Sequence, residues 1–242
     1  MPEQLGDYLK ITAGEEKTVK RVIGEETNIT DTIDVGENAV LNFIEIVNAK
    51  GKKIETSTTI SCSPGSKVNF FVIIINGESV QQSRTVNLKD KAEYNELQIV
   101  SGKSKENLCL RTTVNHLGEG SRANVKAKGI MKDESSAKIP SLLHIFPSGK
   151  KSNTHSSQHF LLLSKKSRAD PSPALEIEID DVLAGHAASV SQLDSEKLFY
   201  LTSKGITEEE AHRILTIAFM EPEISEIAEH AKAEVEEVIK GV

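Results

Sequence analysis

The stretch Leu175–Val182, LEIEIDDV, puts Leu175, Ile177 and Ile179 on one side of an extended chain and Glu176, Glu178 and Asp180 on the other. A period of two means a strand with one buried face and one face left to solvent or to a partner. Upstream, apolar runs of similar length recur at Ala39–Ile46, Val68–Ile75, Tyr94–Val100, Leu108–Val114, Ala123–Ile130, Ser141–Phe146 and His159–Leu163, cut by Gly, Asn, Asp, Ser and Lys. No helical pattern of roughly 10–15 residues separates them, which disfavours an alternating βαβ sheet. The two-residue signal of a tight hairpin is rare; Asn76-Gly77 is expected to make one. A sandwich, a barrel and a parallel β-solenoid all fit, and no hexapeptide repeat decides among them.

The pattern changes after Asp194. A short helical turn is expected over Asp194–Tyr200, broken by Gly205. Thr207 and Glu210 then form a capping box, in which the Thr207 hydroxyl accepts from the Glu210 amide and the Glu210 side chain reaches back. Ala211, Ile214, Leu215 and Ala218 follow as one apolar stripe. Pro222 is expected to stop or restart the chain, and a second amphipathic helix carries Ile224, Ile227, Ala228, Ala231, Val235 and Val238. The division is thus an N-terminal segment (1–29), a β core (30–195) and a helical segment (196–242).

Net charge is −7, and residues 207–242, with ten Glu against Arg213, Lys232 and Lys240, carry all of it. Neither part has the basic excess that would hold nucleic acid. The start, MPEQLGDYLK, lacks the apolar stretch of a signal peptide, and the run Phe70–Ile75 is too short to span a bilayer. Cys62 and Cys109 form no CxxC pair, which reads as a reducing, cytoplasmic setting with each Cys a small buried hydrophobe. Two thiols cannot supply the four ligands of a conventional cluster. Gly102-Lys103-Ser104 ends like a phosphate-binding loop, but Leu97 stands where its first Gly is required. No HExxH and no GxSxG occur. Of the seven histidines, His186 is singled out because it follows the end of a strand.

Residues 161–219 read LLLSKKSRADPSPALEIEIDDVLAGHAASVSQLDSEKLFYLTSKGITEEEAHRILTIAF. In order and spacing this resembles the C-terminal signature of the SufB/SufD family: Leu161–Ser164, Pro173–Ile177, Asp180–Val182, His186, Asp194–Leu201, and Lys204-Gly205-Ile206 through Glu210-Ala211 to Phe219. His116–Asp133 resembles the family's middle region more weakly. The resemblance implies an all-β core, a right-handed parallel β-helix, with C-terminal α-helices. It implies a scaffold subunit of an iron–sulfur cluster assembly complex with no enzymatic activity of its own, carrying a transient cluster or iron, or none in the isolated chain. Its partners would be a SufC-like ABC ATPase and a second subunit, in a homodimer or a heterodimer with a SufB-like protein, with no nucleic acid and no membrane.

By the same resemblance, His186 and His159 could ligate iron. Phe199, Tyr200, Ile206, Thr207, Glu210, Ala211, Ile214, Leu215 and Phe219 would dock the ATPase. Glu176, Glu178, Asp180 and His186 would line a dimer contact. Where SufB has a key cysteine and a glutamate after the signature histidine, this chain has Gln158 and Ala187, so it is SufD-like. The resemblance implies longer family members with an N-terminal helical region, which is expected to be missing or trimmed here. Two other readings remain open: a β-solenoid polysaccharide lyase or hydrolase using Glu176, Glu178 and Asp180, and a plain structural interaction module.

Overall fold

The computed structural model describes residues 8–240; between 224 and 240 the side chains of Ala231 and Val238 are described. Every strand pairing among the described residues is parallel. The chain winds as a β-solenoid of about seven turns followed by two helices. One wall consists of β2 (Glu16–Ile23), the first part of β4 (Val40–Cys62), the first part of β5 (Lys67–Leu88), β6 (Glu93–Gly102), β8 (Arg122–Met131), β10 (Asn153–Leu162) and β12 (Leu183–Gln192). The facing wall consists of β1 (Tyr8–Ile11), β3 (Thr27–Val35), the later parts of β4 and β5, β7 (Asn107–His116), β9 (Ser136–Ile145) and β11 (Arg168–Ile177).

The solenoid starts ahead of the boundary expected at residue 30. β1 and β2 pair with β3 and β4, because Val19 and Ile23 continue the inward-facing apolar pattern. Asn76-Gly77 makes no hairpin. Both residues lie within β5, where the chain passes between walls, and Asn76 donates to Asn48 Oδ1 at 2.6 Å. A similar side-chain stack outside the first wall joins Asn42, Asn69 and Asn95.

Inward residues from both walls form the main core, including Leu41, Phe43, Val68, Phe70, Val72, Ile74, Tyr94 and Phe160. Gly129 belongs to this packing: a Cβ there would lie 2.1 Å from the Phe160 ring, so the ring fits because the side chain is missing. The core is not wholly apolar. Arg21 is ion-paired to Asp31 and Glu45, and Arg84 to Glu96, all buried. Gln82 donates to Glu45 at 2.6 Å, the Tyr94 hydroxyl donates to Glu96 at 3.0 Å, and Arg84 lies 4.0 Å over the Phe70 ring. Buried charges persist when each meets a partner of opposite sign and its hydrogen bonds are made.

A second apolar cluster lies outside the first wall. Ile44, Ile46, Phe71, Ile73, Ile75, Leu97, Ile99 and Ile130 point outward and are covered by α2 (Glu208–Lys240) through Phe219, Met220, Ala231 and Val238. This explains the unbroken run Phe70–Ile75, since a strand buried on both faces loses its alternation. Pro222 does not end α2; the helix breaks at Ala231, where the backbone leaves helical geometry (φ −152°, ψ 42°).

Candidate functional site

The end of the solenoid and the two helices hold most of the residues singled out in the sequence. α1 (Ser195–Ser203) begins where Asp194 accepts from the amides of Glu196 and Lys197 and ends before Gly205, whose φ of +89° suits glycine. None of its residues is buried, and Phe199 and Tyr200 are 74% and 61% exposed. Lys204 Nζ lies 5.5 Å over the Tyr200 ring. Thr207 accepts from the Glu210 amide at 3.2 Å, which is half of the expected capping box. The Glu210 carboxylate instead takes two hydrogen bonds from Arg213, and this guanidinium holds it below the usual carboxylate range.

The nine residues expected to form one docking surface therefore divide. Ala211 is fully buried; Ile206, Ile214 and Leu215 are half-buried; Thr207 is exposed. Phe219 packs against the second cluster, with Lys128 Nζ 4.2 Å over its ring and the same Nζ 3.3 Å from Glu223. On α2 it is Phe219 and Met220 that are seated on the β body, Ala218 of the stripe is exposed, and the exposed aromatic pair is on α1.

His186 and His159 are not brought together. β12 stacks on β10 with His186 opposite Ser156, while His159 stands opposite Ser189 and contacts its hydroxyl at 2.7 Å. Ser156 is a buried inward residue, so His186 projects from the inner face at the open end, and His159, three places along, projects from the outer face. Partial burial and the neighbouring Lys128 hold His159 below its usual range, with Glu223 acting in the opposite sense. Among the described residues no group of three or more His, Cys, Asp or Glu could hold a metal ion.

Gln158 is buried and donates to Ser141 at 2.9 Å, and Ser141 meets Ser156 at 3.0 Å. The interior behind His186 is thus lined by neutral polar groups, which no local sequence pattern announces. Glu176 stacks beside His144 on the outer face of the second wall, and Glu178 meets His144 at 2.6 Å. Asp180 lies exposed in the turn before β12. Cys62 is buried, and burial pushes its thiol up to about 12. Cys109, expected inside, is half-buried on the outer face of β7. No described helix is long and apolar enough to cross a membrane.

A parallel β-solenoid of about seven turns followed by two helices is the class of fold that these residues define. Residues 9–219 match the family model described as SUF system FeS cluster assembly, SufBD core domain, and the chain belongs to that family. It is 30% identical to the iron–sulfur cluster assembly protein SufD of Bacillus subtilis over 83% of this chain and 46% of that protein. It is 32% identical to a SufBD-family protein of Mycobacterium leprae over 64% of this chain and 42% of that one. With Bacillus subtilis SufB it shares 30% identity over 52% of this chain and 27% of that protein. The chain spans less than half the length of these relatives.

Proposed function

We propose that the chain is a SufD-like scaffold subunit of an iron–sulfur cluster assembly complex, without catalytic activity of its own. It pairs with a second family subunit through the end coil of its solenoid and holds a SufC-like ABC ATPase on its helical segment. The longer match to SufD than to SufB supports the SufD-like label. Two free thiols agree with a cytoplasmic setting. The cluster, or iron, is cargo; His186 at the open end is the group offered to it, and His159 on the other face takes no part.

The observation that carries the docking proposal is α1, a helix with no buried residue and two large exposed aromatics. Exposed aromatics flanked by the acidic turn Glu208–Glu210 suit an anchor in a groove whose rim is basic. Cutting the chain after Asp194 is a poor test, because it would also uncover Ile44, Phe71, Ile73 and Ile99 beneath α2. The clean test is co-purification of a SufC-like ATPase with the full chain and with a Phe199→Asp/Tyr200→Asp variant. Binding should weaken by about 100-fold or more, with circular dichroism unchanged. Capture at full strength by the variant would place docking elsewhere.

A further inference from the structure

His159 has no task in holding cargo or in docking, yet it stands where α2 meets the solenoid. It lies in a row across three strands of the first wall, in register with Lys128 of β8 on one side and Ser189 of β12 on the other. Neighbours in such a row are about 4.8 Å apart at the backbone. α2 comes down on this row. Its Phe219 ring lies 4.2 Å from Lys128 Nζ, and its Glu223 carboxylate is 3.3 Å from the same Nζ. Both members of that ion pair are largely withdrawn from water, so solvent screens them little.

This contact is balanced in charge only while the imidazole is neutral. Lys128 and Glu223 then sum to zero, and His159 Nδ1 is satisfied by the Ser189 hydroxyl at 2.7 Å. A proton on the ring leaves two cations to share one carboxylate at a half-buried place. Of the other charged groups on the elements around it, Lys126 lies two places before Lys128, Glu221 two places before Glu223 and His155 four places before His159, while β12 has no Asp, Glu, Lys or Arg.

We propose that Lys128, Glu223 and His159 form a proton-sensitive latch: with His159 neutral it holds α2 on the solenoid, and protonation of His159 loosens it. Burial first and Lys128 second hold the ring below its ordinary 6.5, against the pull of Glu223, which is the direction the latch requires. A group whose value is lowered in the seated form stabilises that form fully above its ordinary value, and the stabilisation is lost as pH falls below it. Since α1 rests on α2, acid would free both helices while the solenoid stays wound.

The test is amide hydrogen exchange of the full chain between pH 7.5 and pH 5.5, corrected for the intrinsic pH dependence of exchange. Protection of residues 211–223 is read as a ratio to that of β5 and β6, so that any global loss of stability cancels. In the parent this ratio should fall by about fivefold towards pH 5.5. His159→Gln should abolish the fall, and His155→Gln, on the same face of β10, should keep it. Lys128→Met keeps an apolar stem over Phe219 and removes the rival cation. Its helix should be less protected at pH 7.5 and should tighten in acid, because a protonated His159 then becomes the partner of Glu223. A parent ratio that stays flat or rises in acid, or a fall that survives in His159→Gln or disappears in His155→Gln, would overturn the latch. A Lys128→Met helix that loosens in acid as the parent does would overturn the part given to Lys128. The measurement needs no ATPase, so its failure leaves the docking proposal standing.

Discussion

α1 and α2 are neighbours in sequence, and together they read as one acidic, amphipathic docking segment. The structure gives them different work. α2 buries Ala211, Thr216, Met220, Ala231 and Val238 and closes an apolar patch on the first wall. α1 buries nothing and leans on α2. An apolar stripe at helical spacing says that something covers it; whether that something is the same chain depends on whether a matching apolar patch exists elsewhere, here on residues most of which lie more than a hundred positions upstream.

The strongest way to break this comparison is Met220→Asp. A carboxylate placed at a fully buried position of α2 should cost about 3–5 kcal/mol and collapse the chemical-denaturation midpoint. Phe199→Asp on α1 should move stability by less than about 0.5 kcal/mol. Similar losses at both sites would mean that α1 is also part of the body.

The next largest effect fixes the pH range in which the helices can be compared at all. His116 is buried, its Nδ1 is 2.7 Å from Ser121, its Nε2 finds no partner, and burial pushes the imidazole down from 6.5 to about 4. Its folded value lies below its unfolded value, so the unfolded chain binds the extra proton. The stabilisation is full above about pH 6.5 and is lost as pH falls towards 4, a difference of about 3 kcal/mol. Urea midpoints measured from pH 7 to pH 4 should show this fall, and His116→Gln should flatten it.

A smaller loss, about 2 kcal/mol, is expected for Phe219→Ala in the same denaturation assay, because the ring is half-buried and shares Lys128 with Glu223. The smallest is Asp194→Ala. It removes the cap of α1 and should cost about 1 kcal/mol at most, seen as faster amide exchange in residues 195–198 with the solenoid unchanged.

The alternating strands, the two helices and the family signature were legible because each rests on local spacing. The solenoid repeat was not. Its coils differ in length, so that Val40 stacks on Lys67 while Arg122 stacks on Asn153. One corner repeats a left-handed residue in six successive turns, at Gly14, Asn38, Gly65, Lys91, Gly120 and Lys151; three of the six are not glycine, which hides the period. The interior ion pairs were missed for a related reason. In EKTVKRVI nothing distinguishes buried Arg21 from the lysines around it until Asp31 and Glu45 are seen to face it from neighbouring strands. His159 lies 27 residues before His186, but the coil there is 30 residues long, and an odd slip of three turns a side chain to the opposite face.

β12 ends at Gln192, and α1 begins at Ser195 with Asp194 already fixed as its cap. So short a joint acts as a crank. The seven strands of the first wall, spaced about 4.8 Å apart, form a stiff bar about 29 Å long whose last rung is fastened almost directly to the most exposed helix. A torque applied to Phe199 and Tyr200 would have little slack in which to dissipate. It would arrive at the strand that carries His186 as a rotation of the whole bar.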